Sequence, residues 1–216
     1  MQQLILASSS PRRVALLNQL QLNFSAISPG IDETRFDGEL YSDYVSRMSR
    51  EKALSVIEAQ NGGKVVLSGD TVVLLEGELL GKPADKDDAI EMLLRLSGKT
   101  HQVITSVTVA GAKREGFHYQ LADSGLENND PVALDTQLVE TNVQFRVLTM
   151  GECESYWRTG EPADKAGGYG IQGLGAVFVE RLEGSYSNVV GLPLAETARL
   201  LSNFGIDCLL RPQQKS

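Results

Sequence analysis

The apolar run Leu4-Ile5-Leu6-Ala7 has the length of a buried strand, and it passes without a spacer into Ser8-Ser9-Ser10-Pro11-Arg12-Arg13. An apolar stripe then resumes at Leu16, Leu17 and Leu20 with helical spacing. Ser10 suits an N-cap and Pro11 the first helical position, so the segment reads as strand, tight turn, helix. The turn gathers hydroxyls and two guanidiniums at a helix N-terminus, where free N–H groups and the positive dipole end favour an anion. Guanidiniums add planar, bidentate donors matched to phosphate oxygens. Arg-Arg alone would read as a solvated pair. Hydroxyls, a proline and two arginines within one turn point instead to a polyphosphate cradle. It is not a P-loop, because the chain contains no G-x-x-x-x-G-K-[ST].

The chain of 216 residues suffices for one large domain or two small lobes with a substantial core. No apolar run approaches the roughly 20 residues of a membrane span. The N-terminus shows no basic region followed by a hydrophobic core, so no secretory signal is expected and a cytoplasmic setting is. A formal net charge of −8 argues against a general nucleic-acid binder. An acidic protein that handles polyphosphate must focus positive charge in one cleft, and a divalent metal is expected beside it. The two cysteines, Cys153 and Cys208, are too few and too far apart for a zinc site and read as partly buried free thiols.

Along the chain, residues 24–27 read as a second strand, followed by a Pro29-Gly30 turn and a loop carrying Asp32 and Glu33. Residues 41–59 form a helix with Tyr44, Val45, Met48, Val56 and Ile57 inward; read by itself, Lys52 in its middle is a solvated cation. Residues 65–75 have a buried-strand pattern interrupted by the polar tetrad Ser68-Gly69-Asp70-Thr71. With Glu76-Gly77 as the turn of a hairpin, Thr71 is expected to face Lys82, with Asp70 diagonal to it. Asp85 caps a helix to Leu96, residues 103–110 are a strand, and His101 at its start is read as structural. Residues 113–130 are a polar, exposed excursion, and residues 132–147 return as a strand, with a break expected near Asp135. Thr149 with Glu152 forms a capping-box pair at the next helix. Five glycines among the 15 residues from Thr159 to Gly173 suggest a loop that brings backbone close to a ligand. Residues 175–182 are expected to be a strand and 185–190 to approach another. A final helix starts at Leu192-Pro193, and the tail from Arg211 is expected to fray.

Taken together these blocks resemble one family, the Maf-type nucleoside triphosphate pyrophosphatases, historically named septum-formation inhibitors. The resemblance spans residues 4 to about 203. It rests on Ser8-Ser9-Ser10-Pro11-Arg12-Arg13, Glu51-Lys52-Ala53, Gly69-Asp70-Thr71-Val72, Gly81-Lys82-Pro83, Asp164-Lys165-Ala166-Gly167, Tyr169-Gly170-Ile171-Gln172-Gly173 and Val190-Gly191-Leu192-Pro193. Two departures stand out: Ser68-Gly69 before the aspartate, where the family usually has Gly-Ala, and the long 113–130 excursion.

The resemblance implies a single α/β domain over residues 1–216, of the inosine-triphosphate-pyrophosphatase type. Its central mixed sheet would be elongated, flanked by helices, and divided into two lobes around a cleft. It further implies Mg²⁺- or Mn²⁺-dependent hydrolysis of a nucleoside triphosphate to monophosphate and pyrophosphate, and a homodimer. Asp70 would be the proton acceptor, and Glu33 with Asp70 the carboxylates for the metal. Arg13, Lys52 and Lys82 would neutralise phosphate charge, with Ser8 donating a hydrogen bond. A branch of the family that takes 7-methyl-GTP has Trp, Gln and Glu where this chain has Arg12, Thr71 and Gln172. The set found here is that of the dTTP/UTP branch, and a Gln amide suits the mixed O4/N3–H edge of a pyrimidine. Modified pyrimidine triphosphates are further candidate substrates, in a house-cleaning role. The alternative is a nucleotide-binding regulator of septum formation that acts through a partner. It predicts that Asp70→Asn keeps the cellular effect while substitutions at Arg12 and Arg13 abolish it.

Overall fold

In the computed structural model, residues 3–60, 64–112 and 132–208 are described. The 113–130 excursion and the tail from Arg211 lie outside the described residues. The order of elements is β1 (Gln3–Ala7), α1 (Pro11–Gln19), β2 (Phe24–Ile27), α2 (Tyr41–Glu58), β3 (Lys64–Leu75), β4 (Glu78–Leu80), α3 (Lys86–Leu96), β5 (Thr100–Ala112), β6 (Val132–Phe145), α4 (Met150–Trp157), β7 (Val179–Glu183), α5 (Tyr186–Val190) and α6 (Leu194–Asn203). The strands form one sheet in the order β2-β1-β3-β5-β6-β7, with β4 paired to β3. β1 runs parallel to both β2 and β3, whereas β3–β4 and β6–β7 are antiparallel, so the sheet is mixed and the fold is α/β. β1 is flanked by a parallel strand on each side, which is why its sequence is unbroken apolar rather than alternating.

The chain divides into two compact units: Met1–Asp70 with Ser106–Leu138 and Gly191–Ser216, and Thr71–Thr105 with Val139–Val190. Each has a core of its own. The first packs Ile5, Ala7 and Val66 of the sheet against Ala53, Val56 and Ile57 of α2. The second packs Val73, Leu75 and Phe145 against Ile90 and Leu93 of α3 and Cys153 and Tyr156 of α4.

Local chemistry sets the element ends. Ser10 caps α1 through Arg13 N, Asp85 accepts from the N–H groups of Asp87 and Asp88 at α3, and Thr149 and Glu152 complete a reciprocal capping box at α4. Glu76 and Gly77, with φ of 53° and 83°, make the two-residue β3–β4 turn.

β3 runs as one strand through its polar tetrad, as expected: Ser68, Gly69 and Asp70 stay buried within it, and the Ser68 and Asp70 side chains are met by partners on other elements. Three other expectations are corrected. β6 continues through Asp135, whose carboxylate accepts from Asn203 at 2.8 Å. Residues Leu174–Phe178 form a 3₁₀ turn, so the strand expected from 175 starts at Val179. Residues Tyr186–Val190 are a helix, not a strand approach, because Ser185 Oγ accepts from Asn188 N in the manner of an N-cap.

His101 is structural, as expected. It is buried in β5, with Nε2 2.7 Å from the Tyr169 hydroxyl and its ring edge-on to Phe145. Burial pulls its pKa down to about 4. In the unfolded chain the imidazole titrates near 6.5, so below that pH the unfolded state takes up a proton that the folded state refuses. Stability therefore falls as pH drops from 6.5 toward 4. The expected loss between pH 7 and pH 5 is about 2 kcal/mol, absent in His101→Gln. Urea unfolding of both proteins at the two pH values checks this, and equal losses would refute it.

Candidate active site

The first unit brings five of the residues singled out from the sequence to one place. Asp70 is fixed by β3, Lys52 by the middle of α2, Ser8 and Arg13 by the turn into α1, and Glu33 by the loop before α2. Lys52 Nζ lies 2.7 Å from Asp70 Oδ1 and 2.9 Å from Glu33 Oε1, so one ammonium bridges both carboxylates. Lys52 and Asp70 are only 6% and 8% exposed. Buried charges persist where they are paired, and here each is the other's partner. The reading of Lys52 as a solvated cation is thus overturned. Val45, Met48, Ser49, Lys52, Ala53 and Val56 form a single helical stripe, and that spacing was the signal in the sequence.

A chain of buried hydroxyls seats α2 on the sheet at this point. Ser49 Oγ is 2.8 Å from both Ser106 Oγ and Thr108 Oγ1 of β5, and Ser68 Oγ of β3 donates to the Ser49 carbonyl. Thr108 Oγ1 continues to Thr136 Oγ1 of β6 at 2.9 Å. Scattered serines and threonines carry no pattern in sequence, so this scaffold was not foreseen.

Arg13 is aimed by its own contacts. Its Nε donates to the Gly191 carbonyl at 2.8 Å and its Nη1 to Ser8 Oγ at 3.4 Å. Burial lowers the guanidinium's pKa, Asp70 opposes that shift, Arg12 adds to it, and Glu33 again opposes it. Gly69 lies beside this guanidinium: a Cβ there would make ordinary contact with Arg13 Nε at 3.5 Å and a tighter one, 3.2 Å, with the Ser106 carbonyl. The Val190-Gly191-Leu192-Pro193 block therefore has a backbone task, to present one carbonyl to Arg13.

The loop bearing Glu33 is strapped to α2. Arg47 makes a two-pronged pair with Glu39 at 2.7 and 2.8 Å and donates to the Thr34 carbonyl, while its guanidinium lies over the Phe36 ring. Tyr44 donates to the Glu33 carbonyl at 2.8 Å.

Thr71, Lys82 and Gln172 belong to the second unit. Thr71 Oγ1 is 3.0 Å from Thr105 Oγ1, which also donates to the Asn188 carbonyl. The expected pairing of Thr71 with Lys82 does not form. The β3–β4 ladder ends at Val73 and Leu80, because the next carbonyl, Gly81, accepts from Gly167 N at 2.9 Å and draws the strand away. Lys82 is exposed, and it is Lys52 that meets Asp70. Gln172 is exposed at the tip of a turn in the glycine-rich segment. The glycines there make room for the protein's own groups: a Cβ at Gly175 would lie 2.6 Å from the Tyr156 hydroxyl, and one at Gly173 would collide with the Glu161 carboxylate.

In the first unit, three cations and two carboxylates leave one formal positive charge on a chain that is strongly negative overall. The class so defined is an α/β protein that sets a cluster of cations beside one buried carboxylate, Asp70, and one exposed one, Glu33. The chain belongs to the Maf family: its residues 3–204 match the family model described as Maf-like protein. It is 48% identical over 205 residues to the dTTP/UTP pyrophosphatase of Hahella chejuensis, covering 94% of this chain and 92% of that protein. It is 47% identical over 210 residues to the dTTP/UTP pyrophosphatase of a Shewanella species, covering 94% and 98%. Among solved structures it is similar to the Staphylococcus aureus Ham1 protein, with a TM-score of 0.41, 14% identity, and coverage of 67% of this chain and 72% of that one.

Proposed function

We propose that this protein is a metal-dependent dTTP/UTP pyrophosphatase, releasing the monophosphate and pyrophosphate. The observation that carries the reading is the Lys52 bridge between Asp70 and Glu33 beside the half-buried Arg13. The name dTTP/UTP pyrophosphatase, borne by relatives at 44–48% identity, supports the choice of nucleotide.

Asp70 is the proton acceptor. Its Oδ1 is held by Lys52, and among the described residues Oδ2 has no hydrogen-bond partner, which leaves a lone pair for the proton of an attacking water. Arg13 and Lys52, with Arg12, face the phosphates, and the positive end of α1 adds to them. Lys82 is assigned to the phosphates by the family motif, while Arg12, Thr71 and Gln172 select the base. Asp70 and Glu33 are hard oxygen donors of the kind Mg²⁺ or Mn²⁺ takes one or two of, completing its shell with phosphate and water. Among the described residues no three His, Cys, Asp or Glu gather, so the donor set fits an ion shared with a nucleotide rather than a cage of protein ligands. When bound, such an ion neutralises developing charge on the phosphates. A homodimer and a cytoplasmic setting complete the proposal.

Incubation with UTP, dTTP, CTP, ATP and GTP and either metal tests this directly. The expected result is pyrophosphate and monophosphate in equal amounts, fastest from UTP and dTTP. Orthophosphate with the diphosphate as products would refute the assignment.

A further inference from the structure

The glycine-rich segment is folded around two side chains that the proposed mechanism does not use. Tyr156, on α4, donates its hydroxyl to Glu161 Oε1 at 2.7 Å and accepts from Gly170 N at 3.0 Å. The Glu161 carboxylate accepts from the amides just past the turn, Leu174 N at 2.9 Å and Gly175 N at 3.1 Å. Between these anchors Gly173 N bonds the Gly170 carbonyl at 3.1 Å, closing a turn whose central residues are Ile171 and Gln172. Ile171 packs on the core of its unit, and Gln172 is left exposed at the tip. Both feet of the turn are thus tied to one hydroxyl–carboxylate pair; a Cβ at Gly173 would meet the Glu161 carboxylate and one at Gly175 the Tyr156 hydroxyl, while at Gly170 it would meet the Lys165 side chain first.

We propose that Tyr156 and Glu161 are positioning residues for base selection: they clamp the two ends of the 170–175 turn so that the Gln172 amide is held in one orientation. The inference rests on the reading that Gln172 meets the O4/N3–H edge of a pyrimidine. An amide discriminates such an edge only while its donor and acceptor keep their directions. Loosening either foot therefore costs discrimination among bases before it costs chemistry at the phosphates.

The test compares kcat and KM for UTP and GTP in the full-length protein and in Gln172→Ala, Tyr156→Phe, Glu161→Gln and Leu93→Ala. Leu93→Ala is a core truncation in the same unit that controls for lost stability. Gln172→Ala is expected to reduce the UTP-over-GTP ratio of kcat/KM about tenfold, the worth of one neutral hydrogen bond at the top of its range. Tyr156→Phe and Glu161→Gln are expected to reproduce most of that loss through KM, with kcat for UTP within about twofold. Leu93→Ala should lower the melting temperature and keep the ratio. If Gln172→Ala alters the ratio while Tyr156→Phe and Glu161→Gln leave it unchanged, or slow all triphosphates alike, the clamp is refuted and the role of Gln172 stands. If Gln172→Ala leaves the ratio intact, the base-reading role falls and the clamp with it. Should Glu161→Gln fail to fold, Tyr156→Phe, which deletes one hydroxyl, decides alone.

Discussion

Asp70→Asn is expected to reduce kcat for UTP by about 10²- to 10⁴-fold, the usual contribution of a positioned general base. Asn is nearly isosteric with Asp and can still accept from Lys52 Nζ through an amide oxygen, while Lys52 keeps Glu33 at 2.9 Å as its counter-charge. The loss should therefore fall on turnover rather than on folding, with KM changed far less than kcat. Pyrophosphate release measured beside a thermal melt separates the two. A variant that turns over at the wild-type rate would remove Asp70 from the mechanism, whatever the family pattern implies.

Lys52→Met should be the most damaging single change to stability around the site. It leaves Asp70, 8% exposed, without the ammonium that pairs it, and it removes one of the Glu33 loop's ties to α2, beside those of Arg47 and Tyr44. Breaking a buried pair from one side costs about 3–5 kcal/mol, most of it from the uncompensated charge. For a chain of this size that corresponds to a fall in melting temperature of roughly 6–20 °C. The double variant Lys52→Met with Asp70→Asn has no buried carboxylate to strand and should recover part of the loss. A double-mutant cycle on unfolding free energies measures that coupling. Additive losses would mean that the two side chains do not depend on each other.

The local devices of this fold were legible in the chain. β2 has the bounds expected, the α1, α3 and α4 caps are where Ser10, Asp85 and Thr149 predict them, and Glu76-Gly77 makes the hairpin turn. Each depends on residues a few positions apart, so the determinants lie within the window being read. The misreadings have the opposite character. Residues 174–178 carry a strand-like composition, yet the Leu174 and Gly175 amides are claimed by Glu161, more than ten residues upstream, and cannot enter a ladder. In the same segment Gly173 leaves space for the Glu161 carboxylate and Gly170 for the Lys165 side chain, neighbours that composition does not name.

The candidate site divides the same way. That Ser8, Arg13, Glu33, Lys52 and Asp70 are the candidates for the chemistry followed from the resemblance of their motifs to the family. That one lysine bridges two carboxylates, that the Gly191 carbonyl aims Arg13, and that Ser49 seats α2 on the sheet were decided by tertiary structure. Caps, turns and amphipathic stripes are written by neighbours along the chain. The partner of a buried charge comes from another element, and only packing determines which one arrives.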